Sequence, residues 1–212
     1  LPVIDIILIS HNHYDHLDLS TIEQLWLRNR PRIIVPLGNN AVISRHNKMI
    51  ESEALDWGER LQLQENITVH LDPMHHWSAR GLFDRNRALW AAFTITSPEG
   101  NIYFAGDTGY GNGDYFRAAR DKHGSFRLAI LPIGAYEPRW FMASGHMNPE
   151  ECVQSFKDLG RPAVLPIHHK VFQLADNGYE EPIEMLNTAV KREKEAHDKF
   201  FPLMVGESSF IP

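Results

Sequence analysis

Three imidazoles and a carboxylate crowd into the six residues His11-Asn12-His13-Tyr14-Asp15-His16, directly after an apolar run over residues 3–9. In extended chain His11 and His13, two apart, share a side, while Asp15 and His16 turn toward a second point. Neutral imidazole and carboxylate are the usual ligands of zinc and its neighbours, and no cysteine lies close enough to make a thiolate site. The spacing therefore predicts metal binding, and two ions suit it better than one. A solvated loop with scattered histidines is the plainer alternative. Its placement at the end of a Val/Ile/Leu run weighs against that, since open α/β sheets present ligands at strand ends.

The same residue types recur at three more predicted strand ends: His75-His76 after Pro73, Asp107 after Phe104-Ala105-Gly106, and His168-His169 after residues 163–167. A lone histidine is more often a surface or hydrogen-bonded residue than a ligand. Jointly, the four strand ends supply two sets of three ligands plus a shared carboxylate. Asp107 is the natural bridge, because a carboxylate has two oxygens whereas imidazole offers one nitrogen to one metal. Asp107-Thr108-Gly109 is also the aspartic-protease triplet, but that chemistry needs two such carboxylates sharing a proton, and the chain has one. The Gly109/Gly111/Gly113 loop matches no phosphate-binding pattern and reads as a turn.

The elements that must position these groups alternate in type. Ser20-Thr21-Ile22-Glu23 reads as a capping box opening a helix to about residue 29, followed by a strand over 32–36 and a helix from the Gly38-Asn39-Asn40 turn to about residue 50. Residues 54–72 change to period-two spacing at Leu61, Leu63, Ile67, Val69 and Leu71. A hairpin of strands 88–97 and 102–105 turns at Pro98-Glu99-Gly100-Asn101. Then come a helix from 113 to about 122, a strand over 128–133 and a helix from Asn148, with Pro149 at its first position, to about 159. A strand over 163–167 and a last helix over 182–197 complete the pattern.

The chain has 212 residues, 43% hydrophobic and 23% charged, enough for a sizeable core and ordinary for a globular protein. It reads as a single domain over 1–212. Lys plus Arg is 21 against 27 Asp plus Glu, a net charge of -6, so nucleic acid is not the expected partner. Cys152 is the single cysteine, which rules out an intrachain disulfide, and it reads as a small buried helix residue. No apolar stretch approaches the roughly 20 residues of a membrane span, and no signal peptide is recognisable. The expected location is cytoplasmic or peripheral to a membrane. The chain starts at Leu1, almost within a buried strand, which suggests that something preceded it.

In their order, His11-x-His13-x-Asp15-His16, a lone His, Asp107 and a final His resemble the metallo-β-lactamase superfamily. The blocks His76-Trp77-Ser78, Leu82 through Trp90, Phe104 through Tyr110, Ile133 through Met142 and His146-x-Asn148-Pro149-Glu150-Glu151 are similar to the N-acyl-phosphatidylethanolamine-hydrolysing phospholipase D group, over roughly residues 3 to 180. The resemblance implies an α/β fold, a four-layer αββα sandwich, here lacking the first strands. It also implies His11, His13 and His76 on one metal, Asp15, His16 and His168 on a second, and Asp107 bridging. His76 over His75 and His168 over His169 follow from the motif and from strand parity. The group usually has Trp-Gly after its last ligand, where this chain has His169-Lys170.

The implied cofactor is two Zn2+, with iron or manganese as alternatives, and the implied reaction is attack on a phosphodiester by a metal-bridging hydroxide. Two zinc ions against Asp15, Asp107 and hydroxide leave the site net positive, the sign an anionic substrate needs. Asp15 would also orient the nucleophile, and Asp18 would orient a ligand histidine. His146, Tyr136, Arg139 and Trp140 are candidates for leaving-group protonation, phosphate contact and acyl-chain packing, against the alternatives of loop ordering and core packing. The expected partner is a phospholipid or other anionic small molecule, with peripheral membrane contact. Rival expectations are hydrolysis of a soluble lactone or cyclic phosphodiester, and a non-catalytic metal-binding module.

Overall fold

In the computed structural model, which describes residues 1–211, β1 (Ile6–Leu8), β2 (Arg32–Pro36) and β3 (Glu53–Leu55) form a parallel sheet in that order. A second sheet runs β4 (Arg60–Gln64), β5 (Ile67–Asp72), β6 (Ala92–Thr96), β7 (Asn101–Phe104), β8 (Phe126–Pro132) and β9 (Ala163–Ile167). It is antiparallel from β4 to β7 and parallel from there to β9.

Alternation along β2 sorts the core into layers. Ile33 and Val35 pack with Leu17, Ile22 and Ile43, beneath α1 (Leu19–Asn29) and α2 (Asn39–His46). Ile34, between them in sequence, packs with Val69, Leu71 and Phe93 of the other sheet and with Ala91 just before β6. On that sheet's far side Tyr103, Ala129, Leu131 and Val164 pack with Phe116, Phe156 and Leu186. Those side chains come from α3 (Asp114–His123), α5 (Pro149–Asp158) and α6 (Glu181–Arg192), with the short α4 (Arg139–Met142) in the β8–α5 connection. The result is the αββα sandwich.

Several boundaries differ from expectation. The first strand has three residues rather than seven, although Ile9 N still donates to Ile34 O at 3.1 Å. The cap of α1 is Asp18, whose carboxylate accepts from Ser20 N at 3.3 Å and Thr21 N at 3.2 Å. Asp18 is thereby committed to the helix and does not orient a ligand histidine. Helix α2 stops at His46, four residues early, and α6 stops at Arg192, with a 3-10 turn over Lys194–Ala196. By contrast α5 starts as expected, with Asn148 and Glu151 forming a reciprocal capping box, and Cys152 is buried inside it. No helix among the described residues is long and apolar enough to cross a membrane.

Candidate metal centre

The ends of β1, β5, β7 and β9 converge, and two glycines permit the approach. Gly106 has φ +64, and a Cβ there would collide with the Ser10 side chain; its absence lets Asp107 come up beside His11. A Cβ on Gly134 would overlap the His168 carbonyl oxygen, so β8 and β9 can deliver their ends together. Between β1 and α1, the loop that carries the histidines is stapled by Arg80, whose Nη1 donates to Asn12 O at 2.9 Å and Leu17 O at 2.8 Å.

Two ligand sets result. His11 Nε2 lies 2.9 Å from His13 Nδ1, and His76 Nε2 lies 3.3 Å from that same nitrogen. His76 Nδ1 faces Gly145 O at 2.9 Å and must donate to it, which leaves Nε2 as a lone pair aimed into the trio. In the second set Asp15, His16, Asp107 and His168 bring their ligand atoms within 4.8 Å of one another. Asp107 Oδ2 joins the sets, at 3.0 Å from His16 Nε2, 3.3 Å from His168 Nε2 and 4.0 Å from both His11 and His76 Nε2. His146 Nδ1 is 3.9 Å from the same oxygen, so His76, Asp107 and His146 form a third cluster of metal-ligand type.

Burial pushes His11, His13, His76 and His146 down, His76 to about 3 and His146 to about 4, so they are neutral imidazoles at pH 7. Burial also opposes charge in the second set, but the pairs there outweigh it. Hydrogen bonds and charge from His16 and His168 hold Asp15 and Asp107 well below the usual carboxylate range. Their carboxylates push His16 up to about 10 and raise His168. A divalent cation fits this chemistry: neutral nitrogens converge on one side, and on the other two carboxylates, Asp107 buried and Asp15 exposed, are paired with positive charge that the imidazoles otherwise supply as protons. Asp107 Oδ1 and His146 Nδ1 are buried without a hydrogen bond, as groups awaiting a further ligand are.

His75, the rejected neighbour, turns away from this pool: its backbone bridges Gly109 and its ring packs on Tyr115 at 4.5 Å. His168 has φ +61, so the chain leaves strand geometry there and the parity argument does not carry on to His169, which lines the same pocket as His168. A cleft of about 320 Å³ opens beside the ligands, lined by His13, Asp15, Asp107 and His146 with Trp77, Arg85, Phe141 and Met142. Tyr136 and Arg139 do not line it. Tyr136 is fully buried and donates its hydroxyl to Glu181 Oε1 at 2.9 Å. Arg139 forks onto both oxygens of Glu151 at 2.8 Å and donates to His146 O at 3.0 Å, so it holds His146 instead of reaching into the cleft. Trp140 is 86% exposed and does not line the cleft itself, but is in ring contact with Phe141, which does. Sequence reasoning gave Arg85 no role; only the fold brings it to the ligands.

A family model for the beta-lactamase superfamily domain matches residues 1–169. The chain is 38% identical over 193 residues to the mitochondrial N-acyl-phosphatidylethanolamine-hydrolyzing phospholipase D of Saccharomyces cerevisiae, covering 88% of this chain and 40% of that protein. It is 35% identical over 212 residues to N-acyl-phosphatidylethanolamine-hydrolyzing phospholipase D 1 of Caenorhabditis elegans, covering 95% and 59%. The chain spans about half the length of these curated relatives. Among solved structures, the isothiocyanate hydrolase from Delia radicum gut bacteria shares the fold, with a TM-score of 0.69 at 16% identity over 98% of this chain and 77% of that one.

Proposed function

Because the chain belongs to the metallo-β-lactamase superfamily, we propose that it is a metal-dependent hydrolase, and more narrowly a binuclear zinc phosphodiesterase of phospholipase D type acting on N-acyl-phosphatidylethanolamines. The names of the yeast and nematode relatives support the substrate class. The observation that carries the reading is an apolar trench directly against the ligands: Asp15, His16 and His168 share a pocket of about 210 Å³ with Ile167, Val171, Phe172 and Leu174. Metal ligands and a hydrocarbon-lined wall in one pocket suit a polar reacting group joined to acyl chains. Such a protein would meet its substrate by peripheral contact with a membrane.

His11, His13 and His76 would hold one ion, Asp15, His16 and His168 the other, and Asp107 both. When bound, two such cations lower the pKa of water at the site and neutralise charge on the phosphodiester. Asp15, kept as a carboxylate, accepts a hydrogen bond from the attacking water and fixes its direction. His146, neutral and held through its carbonyl by Arg139, gains proton affinity as the anionic substrate arrives, takes the proton that the attacking water loses and passes it to the leaving alkoxide. The apolar wall excludes water from the acyl chains and sets the phosphodiester against the ligands.

The test is metal content per chain, followed by a substrate panel on the same sample. About two zinc ions per chain, and chelator-sensitive conversion of N-acyl-phosphatidylethanolamine to phosphatidate, are expected. Turnover of a soluble lactone or cyclic phosphodiester with the lipid untouched would overturn the lipid assignment. Absence of metal would make the chain a non-catalytic module.

A further inference from the structure

The arginines around the cleft differ in how they are engaged. Arg80 donates to Asn12 O and Leu17 O, and Arg139 pairs with Glu151. Arg85 lines the cleft with His13, Asp15, Asp107 and His146, and among the described residues no carboxylate lies within ion-pair distance of it. Its guanidinium instead lies over the Trp77 ring, 4.4 Å from the centroid, and that ring packs edge-on against the His13 imidazole at 4.3 Å. A guanidinium stacked on an indole keeps its plane fixed while its five N–H groups, directed from the edge, remain free to donate.

The loop that carries Arg85 is braced at both ends. The Asp84 carboxylate accepts from Arg80 N at 3.0 Å and Gly81 N at 2.8 Å. Asn86 N donates to Ser78 O at 2.8 Å, and Asn86 Oδ1 accepts from Ser78 N at 3.3 Å. Arg85 thus sits on a fixed shelf beside a metal ligand, with the geometry that recognises two oxygens of one oxyanion.

We infer that Arg85 on its Trp77 shelf is the anion subsite of the cleft, and that it selects substrates carrying a negatively charged phosphodiester-type group over neutral esters and lactones. This deepens the phosphodiesterase reading and rests on it for the cleft being where the reacting group binds. The orientation of the substrate follows: its oxyanion lies between the ligand cluster and Arg85, and its apolar portion runs toward Phe141, Met142 and Leu174, the apolar side chains of the same cleft.

The test uses the zinc-loaded protein and two probes that cannot be hydrolysed: dibutylphosphinate, a monoanion shaped like a phosphodiester, and neutral tributylphosphine oxide. Titration calorimetry on wild type, Arg85→Gln and Arg85→Lys is the readout. Arg85→Gln is expected to weaken phosphinate binding about tenfold and to leave phosphine oxide binding unchanged, with Arg85→Lys in between. Equal phosphinate affinity in wild type and Arg85→Gln overturns the inference, as does failure of the wild type to bind phosphinate. Parallel loss of both probes also overturns it, since the residue then merely supports the cleft. If the binding pattern holds but the wild type hydrolyses no phosphodiester, the phosphodiesterase reading falls and the anion subsite stands.

Discussion

Asp107 is the residue on which both ligand sets depend, because one of its oxygens is within 4.0 Å of nitrogens from each. Asp107→Asn keeps the shape and removes the charge. It is expected to lose metal and to lower turnover by at least about a hundredfold, with metal content and activity measured on the same sample; retained activity would sink the bridging role. The cluster of residues that could hold a metal was legible in the sequence because several imidazoles and carboxylates rarely gather at strand ends without a reason. Tyr136 and Arg139 were not, because a motif gives the neighbours of a side chain along the chain but not its direction. Their partners, Glu181 and Glu151, lie 45 and 12 residues on. Away from the metal centre, buried Asp72 accepts from Lys122 Nζ and His123 Nε2 at 2.8 Å and from Thr94 Oγ1 at 2.9 Å. Burial works against its charge, but these bonds hold it at about 2. A carboxyl depressed by folding stabilises the protein above its ordinary pKa, and that contribution fades as pH falls toward 2. Asp72→Asn is therefore expected to cost roughly 1–3 kcal/mol at neutral pH and less at about pH 3, by urea unfolding. A gap that does not change with pH would mean that the charge contributes nothing.

At the scale of elements, local chemistry decided what could be read. Helix α5 was legible to the residue because Asn148, Pro149 and Glu151 make their cap with one another. In α1, Ser20-x-x-Glu23 carries the same pattern, yet Glu23 is taken by a neighbour in space, accepting from Asn47 Nδ2 at 2.7 Å and pairing with His46 Nε2 at 3.0 Å. One long-range contact thus accompanies both boundary shifts, the cap moved back to Asp18 and the early stop of α2. Asn148→Ala should cost about 1 kcal/mol in thermal or urea unfolding, and because Arg139 braces Glu151, the same change should loosen the segment that holds His146. The ligand loop between β1 and α1 lies in no helix or strand; it turns on His13 O, which accepts from His16 N and Leu17 N, and the two bonds from Arg80 tie both of its ends to the rest of the fold. Arg80→Gln is expected to speed zinc loss to a chelator about tenfold to a hundredfold with only a small change in melting temperature. If the rate of loss is unchanged, the loop holds its ligands without that staple.

For the whole molecule, the parallel ends of β7, β8 and β9 and the ends of β1 and β5 meet at one end of the sandwich, so ligands from four separate stretches of sequence need no long loops to reach one another. That end also has an unusual surface. Leu82 is 93% exposed and Phe83 87%, and Trp140, Phe141, Val171, Phe172 and Leu174 are exposed as well, on three segments that each contribute a residue to the cleft or the trench. Apolar side chains scattered singly need no explanation, but a set of them ringing a reactive cleft does. These 212 residues carry a net charge of -6, so on the proposed lipid reading their overall charge does not favour an anionic surface, and burial of acyl chains would supply much of the binding. Phe172→Ser combined with Leu174→Ser tests this without touching a ligand. The double variant is expected to raise KM for a long-chain N-acyl phospholipid about tenfold or more, since each side chain offers on the order of 1 kcal/mol of apolar contact from its exposed position. It should leave kcat and the turnover of a short-chain water-soluble phosphodiester unchanged. An equal effect on both substrates would mean that the trench shapes the metal centre rather than receiving hydrocarbon, and an unchanged KM for the lipid would take the acyl chains out of the trench altogether.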